Sequence, residues 1–244
     1  DFPAWRQILI ETARVERWGS RTVAQLLLHL PEVPDSWAIV DGFGSEVAAA
    51  YWDQKHPFRL KGSAEDLKYA LERYIAAGRA MAAMAAAHDR LAEVDTATLF
   101  KILDQAIPEI NGARPESTTM TTYYVEAVFS ALNCRPDATD EQIAAKEYAY
   151  LSLLDEAKQP LKLHGLILQQ PKLYVDIIKL AFEPASGEAP EPSERDQHHA
   201  SSAYRLLRSI KAAPGQVGDD VDEGRATSWC LEVQKLLGQA DRLR

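Results

Sequence analysis

The chain has 244 residues, of which 46% are hydrophobic, and it carries a formal net charge of −9. This composition suffices for a sizeable core, and the negative charge argues against binding nucleic-acid phosphates over the whole surface. The only two cysteines, Cys134 and Cys230, exclude a disulfide framework or zinc knuckle and suit a reducing compartment such as a cytoplasm. The sequence has neither a signal-peptide pattern nor an apolar run of the about 18 residues that span a membrane.

The N-terminal part of the chain has the periodicity of short amphipathic helices. Gly19 is predicted to end a first helix and Ser20 to cap a second one. Further short helices are predicted over residues 34–40 and from Ser45 onwards. The pattern Ser63-Ala64-Glu65-Asp66 resembles a capping box, which predicts the start of another helix.

The middle of the chain continues the same alternation of helix and break. An alanine-rich helix is predicted after Gly78, and Asp95 precedes the next helix. Residues 108–118 are polar and contain an Asn-Gly step and a second proline, so we expect a surface loop there. The pattern from Thr139 to Gln142 is a full capping box, which predicts a long helix beyond it.

Residues 183–197 form the clearest break in composition, because they are rich in proline and glutamate and contain no aromatic residue. We predict an acidic linker or loop there. The helical-repeat array is then expected over residues 1–182. A C-terminal helical pair, packed on that array, is expected over residues 198–244.

About a dozen helices joined by short turns predict an all-α fold. We expect an array of antiparallel helix pairs, an irregular α-solenoid of the HEAT type, because many short helices in series suit a solenoid better than a four-helix bundle. No fixed repeat period is present, and the tetratricopeptide and ankyrin consensus patterns are absent. A single irregular helical domain remains the alternative.

Three fragments of ligand-binding motifs are too incomplete to predict a site. Gly42-Phe43-Gly44 lacks a preceding strand and a third glycine. A calcium loop starting at Asp220 would have arginine in place of its required glycine. The adjacent His198 and His199 point in different directions on a helix and are expected to be solvated. We predict no cofactor, no metal and no catalytic residue.

Two residues stand out as candidate buried polar groups, Glu147 and His164. Glu147 lies within the apolar face of its predicted helix, where a carboxylate must be paired, hydrogen-bonded or protonated. We expect a bond to a histidine, tyrosine or arginine on a neighbouring helix. The alternative is an acid in a catalytic cleft, assembled with His164 and His88.

Several packing motifs in the second half are similar to those of one protein family. They lie in residues 148–155 (YAYLSLLD), 160–164, 170–182, 204–210 and around Trp229. These segments resemble the helical, HEAT-like C-terminal region of large, mostly uncharacterised bacterial multidomain proteins, some of them of a defence type. The resemblance implies a sensor or interaction region, and the missing initiator methionine fits a segment of a longer protein.

The expected function is a non-catalytic protein-interaction or sensor scaffold. Its partner would be another protein or other domains of the parent chain, bound through exposed aromatic residues among carboxylates. A small helical enzyme is the first alternative. Nucleic-acid binding through Arg205, Arg208 and Lys211 is the second, and the net charge makes it unlikely. No membrane association is predicted, and the expected location is cytoplasmic.

Overall fold

The regular structure of this chain is helical. The computed structural model describes residues 2–15, 18–57, 62–112, 118–154, 161–167, 170–182 and 194–212. These ranges contain twelve α-helices and one short 3₁₀ segment, with no strand among them. The all-α prediction is therefore confirmed. No helix in the described ranges combines the length and the apolar character needed to cross a membrane.

The chain divides into two compact units, residues 1–131 and 132–244. The helices of the first unit are α1 (Phe2–Val15), α2 (Ser20–Leu27), α3 (Pro34–Gly42), α4 (Ser45–Gln54), α5 (Ala64–Ala76), α6 (Ala80–Ala87), the 3₁₀ segment (His88–Glu93), α7 (Thr96–Gly112) and α8 (Thr118–Asn133), whose last residues pass the boundary. The helices of the second unit are α9 (Asp140–Ala149), α10 (Leu161–Ile167), α11 (Pro171–Phe182) and α12 (Glu194–Ala212).

Helices that follow one another in sequence mostly pack together. In the first unit the packing series α4, α5, α6, α7 is unbroken, but α2 makes its largest contact with α4 rather than α3. In the second unit the series α9, α10, α11, α12 is unbroken. Local contacts of this kind suit short connections between neighbouring helices.

Both predicted capping boxes are confirmed. The backbone N–H of Asp66 donates to the Ser63 hydroxyl at 3.2 Å, and the Ser63 N–H donates to the Asp66 carboxylate at 2.7 Å. Thr139 and Gln142 exchange the equivalent bonds at 3.3 and 3.0 Å. Each box satisfies two N–H groups that a helix start would otherwise leave without a partner.

Two local predictions are wrong. Ser20 does not cap α2: Gly19 occupies the capping position, and the Ser20 hydroxyl instead donates to Glu46 on α4 at 2.9 Å. The predicted loop over residues 108–118 is helical at both ends, because α7 continues through Pro108 to Gly112 and α8 begins at Thr118. Pro108 is exposed, so its ring lies on the solvent side of α7, where a missing N–H is tolerated. Residues 113–117 lie outside the described ranges.

One part of the core of the first unit consists of aromatic rings in contact. The ring centroids of Trp52 lie 5.3 Å from Tyr51, 5.0 Å from Tyr74 and 5.8 Å from Trp37. Tyr69 stacks on Trp37 at 5.6 Å. Edge-to-face and offset arrangements of this kind are favourable because they match the ring quadrupoles. We call these five residues the aromatic cluster, and it joins α3, α4 and α5.

Charged side chains surround the aromatic cluster. Lys55 is buried, and its ammonium lies 2.7 Å from the Glu32 carboxylate. Arg73 donates to Asp41 at 2.7 Å, and Arg79 donates to the carbonyl oxygen of Trp52 at 2.9 Å. The Arg79 bond covers a carbonyl group at the C-terminal end of α4, where no further helical turn can satisfy it.

The core of the second unit is mainly aliphatic. It contains Ala144, Leu151, Leu163, Leu166, Ile167, Tyr174, Ile177, Ala181, Ala203, Leu206 and Leu207. These residues come from the turn after α9 and from all four helices. Side chains without polar atoms pack here without needing hydrogen-bond partners.

The predicted linker over residues 183–197 lies outside the described ranges as far as residue 193. From Glu194 onwards the chain is part of α12, which packs on α11. Residues 213–244, which include most of the predicted C-terminal pair, also lie outside the described ranges.

Candidate interaction surface

Helix α8 is unusual because both of its faces are poor in charge. Among its sixteen residues, Thr118–Asn133, Glu126 is the only charged one, in a chain with 26% charged residues. Its inner face is buried through Val125, Val128 and Leu132. A surface helix normally carries several charged residues on its outer side, so this scarcity of charge is unusual.

The outer face of α8 leaves large apolar side chains in solvent. Met120 is 55% exposed and Tyr123 is 47% exposed. One helical turn separates them, so they lie side by side on the surface. Tyr124 is half-buried beside them. We call Met120, Tyr123, Tyr124 and His88 the α8 patch.

His88 anchors the aromatic part of the α8 patch. It is the first residue of the 3₁₀ segment after α6, and its ring centroid lies 4.6 Å from Tyr123 and 5.6 Å from Tyr124. The two tyrosine rings are 5.7 Å apart. Because three rings hold one another, Tyr123 presents a fixed surface rather than a freely rotating side chain.

Carboxylates border the α8 patch. The Asp89 carboxylate lies 3.1 Å from Nδ1 of His88 and orients that ring. Glu126 follows Tyr123 by one turn of the same helix. Aromatic faces and a thioether offer contact to apolar or aromatic side chains, and nearby carboxylates favour a partner that carries positive charge.

The described residues do not offer an obvious centre for metal chemistry. They contain no group of three or more histidine, cysteine, aspartate or glutamate side chains that could hold a metal ion. Of the adjacent histidines, His198 is exposed, but His199 is half-buried and lies 3.1 Å from the carbonyl oxygen of Tyr148. The expectation that both are solvated is therefore wrong for His199, which links α12 to α9.

Glu147 is buried, with 2% of its surface exposed, near the end of α9. Its carboxylate accepts a hydrogen bond from the backbone N–H of Leu163 at 2.7 Å. Leu163 lies in the first turn of α10, where N–H groups have no helical partner and the helix dipole favours negative charge. A salt bridge of 2.7 Å between Lys162 and Asp140 joins the same two helices. Glu147 thus bonds to the backbone of a neighbouring helix.

The structure divides the three residues of the enzyme alternative between the two units. His88 belongs to the first unit, whereas Glu147 and His164 belong to the second. His164 is half-buried, and burial lowers the pKa of its imidazole below the ordinary value. It follows Leu163 in the chain, so it lies close to the helix start that Glu147 caps.

A groove of about 250 Å³ lies between the beginnings of α5 and α7. Its lining includes the buried apolar residues Leu67, Leu71 and Val94. The Asp95 carboxylate at its rim accepts hydrogen bonds from the Thr98 N–H and hydroxyl, both at 2.8 Å. These bonds lower the pKa of Asp95 although burial opposes the change. None of the predicted site residues lines this groove.

The candidate nucleic-acid contacts lie on α12. The guanidinium of Arg205 is exposed and donates to the Ser202 hydroxyl at 3.1 Å. The side chains of Arg208 and Lys211 lie outside the described part of the chain. The arrangement of a basic surface there is therefore not shown.

The chain was compared with protein-family models, with curated proteins and with solved structures, and none of them matches it. The function proposed below accordingly depends on the geometry of this chain alone.

Sequence periodicity indicates the buried face of α8, formed by Val125, Val128, Phe129 and Leu132, but it does not indicate the exposure of Met120 and Tyr123. The signal that could have revealed the outer face is the single charge in sixteen residues. A surface helix normally shows several charged residues on its outer side.

Proposed function

We propose that this chain is a non-catalytic protein-interaction module that binds its partner through the α8 patch. The observation that carries the proposal is the exposure of Met120 and Tyr123 side by side on a helix with a single charged residue. Exposed apolar side chains that lie together mark contact surfaces, and aromatic residues supply much of the binding energy in such surfaces.

The chemistry of the α8 patch favours a protein segment as the ligand. Two adjacent tyrosine rings and a methionine match apolar and aromatic side chains, whereas phosphate groups would meet the carboxylates of Asp89 and Glu126 and a net charge of −9. The partner segment belongs either to another protein or to further domains of a longer parent chain. Basic residues at the edge of that segment would complement the bordering carboxylates.

A helical array would suit such a module. We infer that the helices continue as an irregular α-solenoid of HEAT-like, antiparallel pairs, supported by the unbroken packing series from α9 to α12. The larger α2–α4 contact is a local departure from that series. The sequence resemblance to C-terminal regions of large bacterial proteins supports the proposal of a sensor role for the module, with its effector elsewhere in a longer protein.

A reducing compartment such as the cytoplasm is part of the same proposal. Its support is Cys134, which is an exposed free thiol in the turn after α8. Exposed thiols persist where cellular reductants keep them reduced. Cys230 lies outside the described ranges.

The proposal is tested by affinity capture with three forms of the chain. The patch variant carries Met120→Ser and Tyr123→Ser, and the matched control carries Lys101→Ser and Gln105→Ser at exposed positions of α7. Full burial of a methionine-sized side chain contributes about 1.5–3 kcal/mol, so the patch variant should bind at least about tenfold more weakly. A partner bound equally by all three forms would contradict the proposal.

A further inference from the structure

The three methionines of this chain lie in different surroundings. Met120 on α8 is 55% exposed, whereas Met84 on α6 is 1% exposed. Met81, which is also on α6, is half-buried. Because a small reagent in water reaches a thioether only where the side chain is accessible, it should react first at Met120.

The fold can tolerate a polar group on the Met120 sulfur more easily than on the Met84 sulfur. Met84 shares one side of α6 with Ala80, Ala83 and Ala87, which are all 0% exposed. A polar oxygen on the Met84 sulfur would be taken out of water into apolar surroundings, which is unfavourable. On Met120 the same oxygen would stay in contact with water, so the core would not be disturbed.

We propose that Met120 is a site of reversible oxidation by peroxides, and that its oxidation makes the α8 patch less apolar. In this reaction the sulfur attacks one oxygen of hydrogen peroxide, so that an S–O bond forms and the O–O bond breaks. The departing hydroxide takes up the remaining proton and leaves as water. The thioether is thereby oxidised to a sulfoxide, and the peroxide is reduced to water.

The sulfoxide changes the property on which binding by the α8 patch depends. Met120 and Tyr123 are the exposed large apolar residues of α8, and oxidation turns one of these two side chains into a polar one. A partner that covers the α8 patch would have to remove water from the sulfoxide oxygen, which costs free energy. Loss of partner binding on oxidation therefore rests on the proposed function, whereas the oxidation of Met120 does not.

The order of reaction is tested on the whole, unmodified chain. The chain is exposed to dilute hydrogen peroxide, and mass spectrometry of its peptides follows the sulfoxide at each methionine. Oxidation should be at least about tenfold faster at Met120 than at Met84, because the exposed fractions are 55% and 1%, and Met81 should lie between them. Equal rates at all three, or faster oxidation of Met81 or Met84, would overturn the proposal.

Hydrophobic-interaction chromatography of the folded chain tests the change of surface. The oxidised chain should elute earlier than the unmodified chain, and a methionine sulfoxide reductase should restore the original retention. Met120→Leu is the matched control, because it keeps an apolar side chain without sulfur and also keeps the exposed thiol of Cys134. An equal shift in this variant, or no shift in the unmodified chain, would overturn the proposal.

Affinity capture with the oxidised chain separates this inference from the proposed function. A partner that binds the unmodified chain should bind at least about tenfold more weakly after oxidation, as expected for the loss of a buried apolar side chain. Equal binding by both forms would overturn the effect of oxidation on binding. A chain that binds no partner in either form would contradict the proposed function, while mass spectrometry and retention would still decide the oxidation at Met120.

Discussion

The cores of the two units differ in their aromatic and charged content. Beside its aliphatic residues, the first places two tryptophans and three tyrosines among buried or half-buried charged groups, including Lys55 and Arg79. The described core of the second is filled mainly by aliphatic side chains, with the buried carboxylate of Glu147 among the described residues. A polar aromatic core needs many directional bonds to be satisfied together, whereas an aliphatic core depends mainly on volume and exclusion of water.

Both units nevertheless use one common device. In the first, the Glu109 carboxylate on α7 accepts from the N–H of Met81 in the first turn of α6 at 2.7 Å. In the second, Glu147 on α9 accepts from Leu163 in the first turn of α10 at the same distance. Glu109 is half-buried, whereas Glu147 is fully buried. The two bonds are therefore alike in geometry but differ in how far water can reach them.

The largest expected effects come from cavities in the two cores. Leu71→Ala in the first unit and Leu163→Ala in the second each truncate a side chain that is 0% exposed. Each should lower the free energy of unfolding by about 2–5 kcal/mol. Hydrogen exchange read by peptide should show faster exchange in α4–α6 for Leu71→Ala and in α9–α11 for Leu163→Ala. Identical exchange patterns for both would mean that the units do not respond separately.

The next largest effect separates the two capping carboxylates. Glu147→Ala leaves the N–H of a buried helix start without its acceptor, and we expect a loss of about 2–3 kcal/mol. Glu109→Ala should lose about 1 kcal/mol, because water can reach its half-buried site. Urea unfolding of both variants measures the difference. Equal losses would contradict the assignment of greater burial to Glu147.

A smaller effect should depend on pH. Burial lowers the pKa of His164, so the folded chain binds this proton less readily than the unfolded chain. Neutral His164 therefore contributes its full stabilisation above about pH 6.5, which corresponds to the ordinary pKa of histidine. This contribution is lost as the pH falls below that value. His164→Gln should reduce this loss when urea unfolding is measured between pH 5 and pH 8.

The pH dependence expected from Glu109 has the opposite sign to that of His164. Burial raises the pKa of its carboxyl, although the N–H groups of Met81 and Ala80 oppose the rise. Its contribution to stability should therefore grow as the pH falls through the raised pKa, and Glu109→Gln should remove that gain. For His164→Gln, a free energy of unfolding that changes with pH in parallel with that of the unmodified chain would contradict the role given to His164.

The smallest effect on stability is expected at the α8 patch. Met120→Ser and Tyr123→Ser change exposed side chains, so each should alter the free energy of unfolding by no more than about 0.5 kcal/mol. Thermal unfolding checks this directly. A large destabilisation would show that these residues are part of the fold, and the binding defect proposed for the variants would then have a different explanation.

Local sequence patterns predicted a helix start correctly where the capping hydrogen bonds join residues only a few positions apart. The Ser63 and Thr139 capping boxes depend only on residues three positions apart. Ser20 was misjudged because its hydroxyl has a partner, Glu46, that is distant in sequence. Pro108 was misjudged because its position on the solvent side of α7 depends on the tertiary packing.

The α8 patch and the partner of Glu147 were harder to predict from the sequence, again because they depend on tertiary contacts. Glu147 could be identified because it is a polar residue within an apolar stripe. It accepts a bond from the backbone N–H of Leu163, which no pattern of side chains could indicate. The α8 patch depends on which of two apolar faces is left uncovered. The stacking of His88 on Tyr123 depends on a contact across 35 positions of the chain, which periodicity alone does not encode.

The most direct test of the interaction surface is site-specific photo-cross-linking. A photoreactive phenylalanine analogue at position 123 is compared with the same analogue at the exposed position 101 of α7, in native cell lysate and with the whole chain. The account predicts a defined protein adduct from position 123 alone, lost when Met120→Ser is added. The same adducts from both positions, or an adduct from position 101 alone, would contradict the claim that the α8 patch is where this chain binds its partner.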